Sequence, residues 1–121
     1  MPSSTPKRAV KSVDRRRRRH PRYRADFRLS VNHLLGDHYQ KIEGHCRDVS
    51  EAGVGILLAA DLSIGEVVDL CLTFPGSEMK WELRAVVRYR RGYQYGFEFL
   101  SLTKEERESL VKFLNGREQI D

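Results

Sequence analysis

The chain has 121 residues, 14.1 kDa, 40% hydrophobic and 32% charged residues and a net charge of +5, which suits one domain with a modest core and excludes a second core. No run of about 18 apolar residues occurs, and the basic N terminus lacks the apolar stretch of a secretory leader, so a cytoplasmic protein is expected. The charge is uneven: residues 1–28 carry eleven Lys or Arg against two Asp, and the remainder carries eleven against fifteen acidic residues.

The basic excess therefore sits in an N-terminal arm, with Arg15 to Arg19 in unbroken succession, and such an arm collects anions. Residues 1–14, rich in Ser, Pro and Lys without apolar periodicity, are expected as a disordered tail. The folded domain is expected over 15–116, with 117–121 as a C-terminal tail. Cys46 and Cys71 are expected as two reduced core residues, since nothing marks the chain for export.

From Asp26 onward Phe27, Leu29, Val31 and His33 alternate with Arg28, Ser30 and Asn32, the two-residue period of a half-buried strand. Gly36 and Asp37 turn the chain into a second strand over Tyr39 to Arg47. A tight polar connection, Asp48 to Gly53, leads to a third over Val54 to Ala59. The fourth, Val67 to Phe74, places Val68, Leu70, Leu72 and Phe74 on one face, and Pro75, Gly76 and Ser77 supply a turn.

The fifth strand, Lys80 to Arg90, sets Trp81, Leu83, Ala85 and Val87 against Glu82, Arg84, Val86 and Arg88; the sixth is Gln94 to Leu100, with Gly96 marking a bend or a close backbone approach. Six short strands at regular spacing predict an all-β antiparallel barrel. One C-terminal helix is signalled by Thr103 with Glu106 three residues on, then Leu110, Val111, Phe113 and Leu114, with a stop at Gly116.

The phosphate-loop, nucleophile-elbow and His-Glu-x-x-His patterns are missing, and Gly53-Val54-Gly55 precedes a strand where a dinucleotide fingerprint needs a helix. His45 and Cys46 are strand neighbours that point to opposite faces, and His33 and His38 straddle a turn, so zinc spacing is not met. His33 fits a satisfied core or rim position. No converging carboxylates or histidines suggest acid–base work, so neither an enzyme nor a cofactor is expected.

Two clusters remain: Arg18, Arg19, His20, Pro21 and Arg22 just before the first strand, and Asp48-Val49-Ser50-Glu51-Ala52-Gly53 between the second and third. Together, in this order and spacing, they resemble the paired motifs of the PilZ domain, a bacterial receptor family for cyclic di-GMP. The resemblance covers about residues 15 to 115 and includes Tyr95-Gly96-Phe97-Glu98-Phe99 and the closing helix. It implies a six-stranded antiparallel barrel with a terminal helix, in agreement with the strand pattern.

The arginine run blurs the register, since Arg15 with Arg19 and Arg24 with Arg28 share the four-residue spacing. The family's distance to the first strand selects Arg18 and Arg22, with Arg19 as helper and Arg24 and Arg28 as strand-edge surface. A guanidinium can fork onto phosphate, contact the O6 and N7 edge of guanine or stack on its face, which fits a ligand of two phosphates and two guanines. Asp48 offers an acceptor for guanine N–H groups, Ser50 a hydroxyl of either polarity, and Gly53 a close approach; by resemblance these form the base-binding wall.

The expected mechanism is an arginine arm that folds over cyclic di-GMP and presents a new face to an unidentified downstream protein, the receptor being a monomer or a ligand-dependent dimer. One alternative is a nucleic-acid-binding module with the basic arm on phosphates and Tyr23, Tyr89, Tyr93 and Tyr95 as stacking surfaces. Another is a family member without its ligand that acts through protein contacts alone.

Overall fold

The structure, a computed structural model, describes residues 20–120. Six strands, β1 (Tyr23–Leu35), β2 (His38–Val49), β3 (Gly53–Leu58), β4 (Val67–Leu72), β5 (Trp81–Arg91) and β6 (Gln94–Phe99), are followed by a helix, α1 (Lys104–Leu114). Every neighbouring pair is antiparallel, and the order β1-β2-β3-β6-β5-β4 closes into a barrel through a three-residue pairing of β1 with β4. No helix among the described residues is long and apolar enough to cross a membrane.

The two-residue period builds the core. Leu29 and Val31 of β1, Val54, Ile56 and Leu58 of β3, Val68, Leu70 and Leu72 of β4, and Tyr95, Phe97 and Phe99 of β6 all point inward and are buried. Tyr95 keeps its phenol satisfied there by donating to Ala60 O at 2.6 Å and accepting from Leu62 N at 2.9 Å. Helix α1 covers the barrel with Leu110, Phe113 and Leu114, and Phe113 meets the rings of Phe27 and Phe74 at 5.7 and 5.0 Å.

Several expected boundaries move. β1 starts at Tyr23 rather than Asp26, β2 runs on through Asp48 and Val49, and β4 stops at Leu72, although Phe74 is still buried. Val111 is 40% exposed, outside the apolar stripe of α1. Cys46 is buried as expected, and burial followed by the nearby Asp48 pushes its thiol far above the ordinary range, leaving it inert. Cys71 is not core: it alternates with the buried Leu70 and Leu72 and so lies on the outer face, half-buried.

The capping box forms as the sequence indicates. Glu106 N donates to Thr103 Oγ1 at 3.1 Å and Thr103 N donates to Glu106 Oε1 at 2.9 Å. Thr103→Ala should cost about 1 kcal/mol and lower the melting temperature by about 4–8 °C for a domain of this size. Differential scanning calorimetry reads this directly, and an unchanged midpoint would show that the cap contributes nothing. Gly116, at φ +83°, ends the helix in the left-handed region.

Candidate ligand-binding site

One patch of outer wall differs from the rest because its floor has no side chains. Across β2, β3, β6 and β5 the register aligns Asp48 with Gly55, Gly55 with Gly96, and Gly96 with Tyr89. A Cβ on Gly55 would lie 2.5 Å from Asp48 Oδ2, and one on Gly96 would lie 2.5 Å from Tyr89 Cδ1. The carboxylate and the phenol ring therefore fold inward from opposite sides over the two glycines. Gly53, two residues along β3, is tighter still, since its Cβ would lie 2.0 Å from the backbone oxygen of Phe97.

Two β-bulges aim these side chains. Cys46 and Val87 face the core, so strict alternation would send Asp48 and Tyr89 inward as well. An extra residue, Arg47 in β2 and Arg88 in β5, shifts the register in each interval and turns Asp48 and Tyr89 outward. A third register shift, between Arg24 and Phe27 of β1, lies opposite the same end of β2.

Arg22 stands directly before β1 and donates to a single oxygen, Asp48 Oδ1, from Nη2 at 2.6 Å and from Nε at 3.1 Å. The two side chains are 27% and 17% exposed, so the pair is only partly open to water. The backbone around Arg22 is held from the other side too. Ile120 N donates to Arg22 O at 2.9 Å and Arg24 N donates to Glu118 O at 2.8 Å, so residues 118–120, expected as a tail, run alongside the start of β1.

Ser50 is a turn builder. Its Oγ accepts from Ala52 N at 3.1 Å and Gly53 N at 3.2 Å, and its own N–H donates to Gly53 O at 2.9 Å. The hydroxyl expected to serve with either polarity thus has its acceptor side occupied, and its hydrogen is left to donate.

These groups line a cavity of about 630 Å³, within the ~300–1,000 Å³ range of small-ligand sites. Arg22, Asp48, Ser50 and Gly53 come together there, while Arg18 and Arg19 lie outside the described residues. Four further contributors, His20, Arg88, Tyr89 and Glu98, were not singled out for this site by sequence. Arg88 Nε donates to Glu98 Oε1 at 2.5 Å. Tyr89 carried only the stacking role of the nucleic-acid alternative, and Tyr95, named with it, is buried at 1% exposure and cannot stack on anything outside the barrel.

The remaining sequence candidates fall elsewhere. His33 is a satisfied rim residue, with Nε2 at 2.6 Å from Glu66 Oε1; the Ser63 N–H and His33 hold that carboxyl below its usual range despite an opposing contribution from burial. His45 pairs with Asp26 on the outer face, opposite the inward Cys46. A second depression of about 700 Å³ over β1 and β4, bordered by Arg28, Lys41, Lys80 and Cys71, contains neither motif.

The PilZ domain family pattern matches residues 16–116. Among solved structures, the PilZ domain of CeSA from a cellulose synthesizing bacterium superposes with a TM-score of 0.61 at 18% identity, over 78% of this chain and 95% of that one. The PilZ domain of YcgR from Escherichia coli, solved with c-di-GMP, gives 0.60 at 18% identity, over 81% and 88%. The inhibitor of motility MotI/DgrA from Bacillus subtilis gives 0.61 at 20% identity, over 80% of this chain and 49% of its own length. At such identities the likeness shows a common fold. No curated protein matches the chain.

Proposed function

This chain belongs to the PilZ domain family, and from that premise we propose that it is a cytoplasmic receptor for cyclic di-GMP that binds its ligand on the glycine-floored wall and signals to a partner protein. The observation that carries this reading is the Arg22–Asp48 pair, held at the mouth of a cavity whose floor lacks Cβ atoms. A planar purine needs a flat face and a guanidinium fixed in direction, and the Tyr89 ring laid over Gly96 and Arg22 held by Asp48 supply them. The relative YcgR was solved with the same dinucleotide.

In this reading Arg22 binds phosphate or the O6 and N7 edge of guanine, Asp48 both orients Arg22 and accepts guanine N–H groups, and the Ser50 hydroxyl donates. Gly53 keeps the turn close to β6. The outer face of the Tyr89 ring, backed by Gly96, is a stacking surface. Arg18 and Arg19 precede Arg22 by four and three positions, at most about 14 Å of chain, and close on the ligand from the open side. Binding is the whole event and no bond is broken.

The test is titration of the purified protein with cyclic di-GMP by calorimetry, with GTP and a linear dinucleotide as controls. Saturable binding of the cyclic compound alone is expected; indifference at millimolar concentration would end the assignment. Salt separates this from the nucleic-acid alternative. A ligand with two phosphates should show a log–log slope of about −2 or shallower, whereas binding to a nucleic acid through many phosphates should fall with a slope of several units.

A further inference from the structure

The cavity contains a second arginine–carboxylate pair that neither sequence motif supplies. Arg88 of β5 and Glu98 of β6 face it across β3 from Arg22 and Asp48. Asp48 and Glu98 root on the two strands that flank β3, Asp48 opposite Gly55 and Glu98 opposite Gly53, so two strand spacings of ~4.8 Å and a two-residue offset of ~6.6 Å set their backbones about 12 Å apart. The two pairs share one pattern. In each, a guanidinium commits to one carboxylate oxygen, Oδ1 of Asp48 or Oε1 of Glu98. Asp48 Oδ2, Glu98 Oε2 and the Arg88 amino groups make no hydrogen bond to a described residue.

The Arg88–Glu98 pair is half-exposed, at 60% and 47%, so it contributes at most a small amount to stability. Its chemistry suits a base. Guanine carries donors at N1 and N2 and acceptors at O6 and N7, which a carboxylate and a guanidinium side by side can satisfy together. Adenine reverses the polarity of that edge, setting an acceptor at N1 against a carboxylate that has no proton to give. A ligand with two guanines needs such a clamp twice, and this wall has two.

We propose that Glu98, with Arg88 beside it, is the second guanine-reading pair and a determinant of base specificity. This rests on the cyclic di-GMP reading. Glu98→Gln keeps the shape but turns an amide donor toward the guanine N–H groups. The variant should bind cyclic di-GMP about 5- to 150-fold more weakly, lose nothing toward cyclic di-AMP, and melt at the wild-type temperature. Arg84→Ala, on β5 with Arg88 but outside the cavity, should bind both ligands as the wild type does. If the wild type binds cyclic di-GMP and Glu98→Gln matches it, this inference alone fails. If the wild type ignores cyclic di-GMP, the receptor reading fails with it.

Discussion

Arg22→Ala is expected to weaken cyclic di-GMP binding about 10- to 150-fold in calorimetry, because a charge-assisted hydrogen bond contributes roughly 1.5–3 kcal/mol. The size follows from preorganisation. Two N–H groups of Arg22 are fixed on Asp48 Oδ1, so the guanidinium has little rotamer entropy left to lose when a ligand engages its remaining N–H groups. Arg22→Lys restores the charge without the planar fork and should recover only part of the loss. The Asp48 partner supplies a cycle: if Asp48 acts solely by holding Arg22, Asp48→Asn added to Arg22→Ala costs nothing further, whereas an independent contact to guanine adds its own loss. Removing Arg22 also leaves a carboxylate at 17% exposure without its cation, a cost of about 1 kcal/mol to the fold that a thermal melt records separately. An unchanged dissociation constant would remove Arg22 from the site.

The barrel was legible because its core obeys period two over most of each strand and because Thr103 and Glu106 mark the helix by a local rule. The orientation of the site was not. The phase of Asp48 and Tyr89 depends on one extra residue in β2 and one in β5, and a bulge is set by pairing with a distant strand, so no local pattern announces it. For the same reason Asp48 and Val49, which look like part of a polar connection, belong to β2. Gly96 was legible as a close approach, but the partner in that approach, Tyr89, lies across the β5–β6 pair. Arg88 and Glu98 read as ordinary outward residues, since only the register places them beside each other over a glycine floor. Cys71 misleads in the opposite way, because a half-buried outer position between buried neighbours has the composition of core.

Gly53→Ala should be the most destabilising single-methyl change on this wall, and the reason separates folding from binding. The new Cβ would stand 2.0 Å from Phe97 O and 3.0 Å from its carbonyl carbon, both of them backbone paired within β6. No rotamer change relieves that contact, so β3 and β6 must part, at a cost of about 3 kcal/mol or more and a melting point lower by about 12–24 °C. Gly55→Ala is the informative contrast. Its Cβ would lie 2.5 Å from Asp48 Oδ2, the end of a side chain that can swing away, so the strands stay paired while the carboxylate leaves its place beside Arg22. Gly55→Ala should therefore melt well above Gly53→Ala yet still bind cyclic di-GMP more weakly than the wild type. Equal melting points for the two variants would mean that β3 and β6 are not in the close contact described at Gly53.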